Sequence, residues 1–518
     1  MTPTTSQAPG EPAAVDFVAR LPAALTTEVL ARLGGDPRDL AAASAVCRNW
    51  RAAAAGGDVW AAAYAARFPS WSSERALAPA LPGGAAPTQL ADAAWQQRYR
   101  WRLGLDRHWR QGRRRLQHVL HGHAAWVNAV RLLPSACGGG GVASGGSEGA
   151  VHVWGLDGEL HLFSNLHGQA VWALDADAQQ IATGAMDGFV HLLDLGSEAV
   201  TARLPAGWRG GAAPPPAEAG WEQFEVVTSV QLLPGGKQLL VGCMDGLVQL
   251  VDLRCKGAAA QQLHWAAPAA QPAAGAAPGG LFWRRRRGAP RLAAARCHEH
   301  LLVGAGDAPA VSLHDLRAGG ARFAELALRA PSVFALDLQY PRLATGGDGG
   351  HLEVWDVSRL GGTVAAVLPA VARRAQPCQP RLVCSLFPAS VSRESAGEGT
   401  PAAASSLDCM VGSNEGHLQR GLHMGCVYSA RLLEDWRLLT ADHGGYVRLW
   451  CTAEAAGEGP PTLASLPAFA PSVDDPAAAM IDPAGGPPRP VGMHCLDACL
   501  THLAVAGRDS VVRVYSYE

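Results

Sequence analysis

Lysine is almost absent from this chain of 518 residues: Lys237 and Lys256 are the only two, and arginine supplies nearly all of the positive charge. Isoleucine is equally scarce, at Ile181 and Ile481. Loss of lysine alone would suggest avoidance of surface amines. Because isoleucine is depleted as well, a coding bias that favours arginine, alanine and glycine accounts better for both. Net charge is also missing, at −2, so no global field draws the chain to nucleic acid or to a membrane, and neither is expected as a partner. There is no apolar run of membrane-spanning length, and residues 1–22 lack the basic start and apolar centre of a signal peptide. The 12 cysteines follow no framework spacing, which suits reduced thiols. These absences predict a soluble protein of the cytoplasm, the nucleus or both.

Catalytic signatures are missing too. No glycine-rich phosphate loop with lysine, no nucleophile elbow and no paired carboxylates with a supporting base occur. Two clusters invite a metal reading, Cys297-His298-Glu299-His300 and His494-Cys495 with Cys499. On a predicted strand, consecutive side chains point to opposite sides and do not converge on one ion. No metal, no cofactor and no catalytic residue is therefore expected.

What the chain does contain begins at residues 21–60. Leu21, Leu25, Val29 and Leu33 recur every four residues and Leu30 falls on the same face, so the spacing predicts a helix. Pro22 stands in its first turn, where the missing N–H costs nothing. After the Gly34-Gly35 break and the Asp36-Pro37 start comes a second apolar set of Leu40, Val46, Cys47 and Trp50, and Trp60 closes a third short helix. Three helices in about forty residues cannot bury a core alone, so the apolar surplus calls for a partner.

The ordered combination Leu21-Pro22, Val46-Cys47-Arg48, Trp50-Arg51 and Val59-Trp60 resembles the F-box family. The resemblance implies that the partner is the Skp adaptor and, through it, a cullin. It also implies that Leu21, Pro22, Leu25, Val29, Leu30, Leu33, Leu40, Val46, Cys47, Trp50 and Trp60 form the adaptor-binding set. A helical cap packed against the rest of the chain is the plainer alternative.

From about residue 121 a block of near-constant length returns. It reads ASGGSEGAVHVWG at 143–155, ATGAMDGFVHLLD at 182–194, LVGCMDGLVQLVD at 240–252 and VGAGDAPAVSLHD at 303–315. Further copies stand at 344–356, 410–422, 439–451 and 504–516. Each pairs a strand of small residues with a tight turn and an alternating strand. With His121-Gly122-His123 and Trp355-Asp356 the series resembles the WD-repeat family, whose blades are four-stranded sheets around a central axis. Most copies depart from the terminal dipeptide, as at Trp154-Gly155 and Trp450-Cys451.

The fold class expected is thus a small all-α F-box module followed by an all-β propeller of WD repeats. The last block ends one strand short, and LQHVL at 116–120 can supply that strand and close the ring. The blocks ending at Leu422 and Cys451 stand too close for a complete outer and inner strand between them, given about 3.3 Å per residue. Either one blade of eight is abbreviated or the copy at 410–422 is an insertion in a ring of seven, and the number of copies favours eight. The boundaries read as a disordered N-terminus (1–15), the F-box (16–66), a connector with a linker helix (67–115) and the propeller (116–518).

Resemblance to F-box/WD-repeat proteins implies a non-catalytic substrate receptor of a Skp, cullin and F-box ubiquitin ligase, the alternative being a WD-repeat scaffold without a ligase role. Long Ala/Pro/Gly-rich insertions lie near 205–222, 268–290 and 467–490. One carries Arg284, Arg285, Arg286 and Arg287 behind Phe282 and Trp283. Guanidinium clusters suit carboxylates and phosphates, so an acidic or phosphorylated protein substrate is one reading, with a nuclear signal or a solvated loop as others. Turn residues His443 and Arg508 are the further candidates for substrate contact.

Overall fold

The computed structural model describes residues 20–33, 37–68, 92–133, 140–206, 225–255, 259–264, 291–358, 381–386, 425–433, 437–453, 462–465, 469–471 and 491–517. The chain divides into two compact units, Met1–His108 and Trp109–Glu518.

In the first unit, α1 (Ala23–Leu33), α2 (Pro37–Val46), α3 (Arg48–Ala54) and α4 (Gly57–Arg67) pack with the first part of α5 (Asp92–Arg110). Their core holds Leu30, Leu40, Ala43, Val59, Trp60 and Tyr64. Tyr99 of α5, fully buried, meets Trp60 edge-on at 5.5 Å. Trp60 also donates from Nε1 to the Ala54 carbonyl at 2.9 Å, so its one polar group is satisfied inside the core. The break between α2 and α3 is made by Cys47, whose extended backbone and Sγ cap the Trp50 amide. Part of the apolar surplus of the short helices is thus covered by the chain itself, through α5.

The second unit is a ring of seven four-stranded antiparallel sheets among the described residues. Innermost strands are Val127–Leu133, Val171–Ala176, Val227–Leu232, Leu292–His298, Val333–Gln339, Val427–Leu432 and Met493–Ala498, for blades 1 to 7 in order. Blade 7 takes its outermost strand, Arg115–His121, from the start of the unit, paired antiparallel to Val511–Ser516. The last residue but one of α5, Trp109, secures this closure. It stacks on Tyr517 with ring centroids 3.5 Å apart and donates from Nε1 to the Leu500 carbonyl at 2.7 Å.

The small-residue strand of each block has a packing reason. A Cβ on Gly184 of blade 2 would lie 2.4 Å from Val227 of blade 3, and one on Gly346 of blade 5 would lie 2.7 Å from Val427 of blade 6. Glycine here lets one innermost strand pack against the next blade.

The count of seven corrects the expectation of eight. Blade 5 ends with Arg381–Leu386, and the next innermost strand, Val427–Leu432, packs directly against blade 5, Leu432 donating to Asp337 at 2.7 Å. No place remains for a sheet between them. The copy at 410–422 lies outside the described residues, within the connection of 387–424. Sequence similarity at one hairpin-length block is not enough to add a blade, since the seven described sheets already close the ring.

Candidate functional site

Two surfaces stand out, one on each unit. On the helical unit, Leu25 and Val29 sit one turn apart on α1 and are 48% and 37% exposed, and Val46 at the end of α2 is 63% exposed. Pro22 is exposed, while Leu21, Cys47 and Trp50 are half-buried. Leu30, Leu40 and Trp60 are core residues and shape this surface from beneath. The side chain of Leu33 lies outside the described residues. The apolar set read as one group from its spacing is therefore divided between an inner and an outer face.

On the propeller, each turn between the second and third strands returns to the chain just ahead of the innermost strand. Ser147 donates its amide to the Trp126 carbonyl at 2.7 Å, Met244 to Val226 at 2.8 Å, His443 to Cys426 at 2.9 Å and Arg508 to Gly492 at 3.0 Å. These turns therefore lie on one face, where the connections between blades also begin and end. In blade 4 the equivalent residue is Asp307, which donates to Arg291; Gly306 precedes it. The connection of 265–290 leaves and rejoins at this face, although Arg284, Arg285, Arg286 and Arg287 lie outside the described residues.

A second regularity was not visible from the blocks. In all seven blades the register between first and second strands shifts after the first residue of the innermost strand. The residue skipped is Asn128, Trp172, Thr228, Ala293, Phe334, Tyr428 or His494. Such a bulge frees a residue from the ladder and re-aims it, which sets these side chains near the rim of the turn-bearing face.

Between blades 5 and 1 the bulge residues and turn residues merge. Phe334 lies 5.9 Å from Tyr428, Tyr428 lies 5.7 Å from His443 and 5.4 Å from His494, and His494 lies 5.6 Å from Trp126. Arg508 covers the Trp126 ring at 4.9 Å and donates from Nε to His494 Nε2 at 3.1 Å. That donation needs a neutral imidazole. Burial, then the charge of Arg508, holds the His494 pKa at about 4, and the same two causes lower that of His443. Asp348 accepts from the Cys426 thiol at 2.9 Å. The cluster thus presents aromatic rings, two neutral imidazoles, and Arg508 as its cation. Trp126, 48% exposed, and Trp172, 40% exposed, leave apolar area open on this face.

Arrangements that could hold a metal were tested against the donors. Ligand atoms of His123, Glu148 and His152 lie within 4.8 Å of one another. Both nitrogens of His123 are already engaged, Nδ1 with Glu148 at 2.5 Å and Nε2 with Ser144 at 2.8 Å, while Trp154 donates to the same Ser144 hydroxyl at 3.2 Å. These bonds tie the entry to blade 1 to its second and third strands. The thiols of Cys297 and Cys495 are pushed up by burial, Cys297 to about 12, which suits inert core residues. On the opposite face, a cavity of about 450 Å³ is lined by Leu133, Trp154, Leu156, Asp157 and His161 among others.

A family model for an F-box-like domain matches residues 18–65, and one for the WD domain, G-beta repeat, matches residues 114–155. The second spans the closing strand and the first three strands of blade 1 in a seven-bladed ring. The chain is an F-box/WD-repeat protein. No curated protein matches it. The F-box-like match covers α1 to α4 up to residue 65, so the exposed Leu25, Val29 and Val46 belong to the F-box itself. In this F-box/WD-repeat protein, His443 and Arg508 come together through Tyr428, which the sequence reading did not single out, and His494, which it raised only in a metal cluster that it set aside. A signal for them existed: the residue after the first apolar position of each innermost strand is large in VWALD, VFALD, VYSAR and MHCLD. No helix among the described residues is long and apolar enough to cross a membrane.

Proposed function

We propose that this protein is a substrate receptor of a Skp, cullin and F-box ubiquitin ligase. The observation that carries the reading is the apolar strip of Leu25 and Val29, with Val46 on α2 also exposed, on a unit that matches the F-box-like model and whose own core holds Leu30, Leu40 and Trp60. Leaving such a strip in water is unfavourable by roughly 25 cal/mol per Å², and a docked adaptor removes it. The propeller carries no bond chemistry in this role. It holds a protein substrate beside the charged ubiquitin carrier and raises effective concentration.

The substrate surface is the turn-bearing face around Arg508, Trp126, Tyr428, His494 and His443. An acidic peptide with an apolar or aromatic neighbour fits it, the carboxylate meeting Arg508 and the apolar group meeting Trp126. Arg284 to Arg287, in a connection that starts and ends on this face, would extend the same preference toward phosphorylated residues. The test is affinity capture from cells with the proteasome blocked, using wild type, Leu25→Ala/Val29→Ala and Arg508→Ala/Trp126→Ala. The first double variant should lose the Skp adaptor and keep substrates, and the second should do the reverse. Failure of wild type to retain the adaptor would leave a WD-repeat scaffold.

A further inference from the structure

The fifth residue of each innermost strand faces the central channel, and around the ring these residues form a belt of charge. Arg131 of blade 1 pairs with Asp175 of blade 2 at 3.1 Å and with Asp497 of blade 7 at 3.3 Å. Arg431 of blade 6 pairs with the same Asp497 at 2.9 Å and with Asp337 of blade 5 at 3.5 Å. Each of these carboxylates also accepts a backbone amide from the next blade: Leu232 for Asp175, Leu432 for Asp337 and Leu132 for Asp497. Two arginines thus engage all three carboxylates of the belt.

Blades 3 and 4 complete it differently. Gln231 latches blade 3 to blade 4 with its neutral amide, accepting from the Cys297 amide at 2.7 Å and donating to the Cys297 carbonyl at 2.8 Å. Blade 4 contributes Arg296, which forms no ion pair among the described residues. Its Nη1 donates to its neighbour's carbonyl, Ala295, at 3.0 Å, and its Nε has no partner. Asp337 and Asp175 exert only a distant pull on it, while burial and the like charges of Arg131 and Arg431 favour its neutral form. A half-buried guanidinium with an enclosed Nε and no counter-charge is unfavourable, and such a group calls for an explanation.

We propose that the channel binds a small oxyanion at Arg296, on the side of the belt where Gln231 stands in place of a carboxylate. With Nη1 committed to Ala295 and Nε enclosed, Nη2 is the donor left to meet an oxygen of a phosphate or carboxylate. Binding neutralises the one arginine of the belt that lacks an anion. The site lies in the channel and is separate from the Arg508 cluster on the rim, so it does not depend on the ligase reading.

Inorganic phosphate is the probe, with melting of the full chain followed in phosphate and in chloride at one ionic strength. Wild type should show a saturable rise of about 2 °C or more at concentrations well above half-saturation. Arg296→Gln should show none and, in chloride, should melt no lower than wild type, because an unpaired cation has been removed. Gln231→Glu supplies a carboxylate in cis and should also abolish the response. Arg322→Gln, at an exposed arginine paired with Glu325, should respond like wild type. An equal rise in wild type and Arg296→Gln, or a full response in Gln231→Glu, overturns the proposal.

Discussion

Asp497 on the innermost strand of blade 7 accepts the backbone amide of Leu132 on blade 1 at 2.9 Å, across 365 residues of sequence. The same carboxylate is the shared partner of Arg131 and Arg431. One side chain therefore holds the last blade to the first and balances two cations in the channel, at 5% side-chain exposure.

Removing it should be expensive. Asp497→Ala leaves an amide and two enclosed guanidinium groups short of a partner, and a loss of about 3–5 kcal/mol in unfolding free energy is expected for the propeller. Asp497→Asn keeps an acceptor for Leu132 and should cost less. Urea unfolding followed by tryptophan fluorescence reads both, and equal stability of the two variants would show that the acceptor for Leu132 adds nothing beyond the charge that both remove.

Acid should loosen the propeller through its buried imidazoles. His191 is 6% exposed, neither of its ring nitrogens has a hydrogen-bond partner, and it stacks on His167 at 4.3 Å. Burial, then His167, holds its pKa at about 4 against an ordinary 6.5, with Asp187 opposing and Arg203 assisting. His152, stacked 4.0 Å from His123, is held at about 4 by burial and then by His123. Between those two values the unfolded chain binds more protons, so stability rises with pH across the window and is lost as pH falls from 6.5 toward 4. The melting temperature should be lower at about pH 5 than at about pH 7, and His191→Leu should narrow the difference.

Spacing between blades should tolerate no added methyl at Gly184. Its Cβ would meet Val227, a fully buried residue, at 2.4 Å. Gly184→Ala is expected to destabilise by about 1–3 kcal/mol through overpacking, measured by denaturant midpoint. An unchanged midpoint would mean that blades 2 and 3 separate without cost.

The two faces of the F-box should separate by assay. Leu30→Ala, in the core, should lower the stability of the helical unit by about 2–5 kcal/mol. Leu25→Ala/Val29→Ala, on exposed positions, should leave unfolding nearly unchanged while weakening adaptor binding at least tenfold, since about 1.4 kcal/mol is a factor of ten. Calorimetric titration of purified adaptor with each variant checks this.

Much of this architecture follows from local pattern. The four-residue recurrence of Leu21, Leu25 and Val29 specifies a helix, and the repeated small strand, turn and alternating strand specify hairpins of a propeller, because both periods are properties of backbone geometry. Even the closing strand before His121 can be inferred, since a ring one strand short leaves an unpaired edge. Other features arise only when distant segments meet. Periodicity places Leu25 and Leu30 on one helix but does not say that Tyr99 completes the core over one and leaves the other in water. Block counting does not reveal that the described ring closes with seven blades, because a blade is defined by its innermost strand packing on two neighbours. The rim cluster joins His443 to Arg508 through a bulge at Tyr428 and another at His494, and the channel belt joins Asp497 to Arg131. Sequence by itself determined the elements and their order. Which side chains face water, which face the channel and which charge is left without a partner were decided by the closure of the ring, because burial and ion pairing depend on distances that no local pattern encodes.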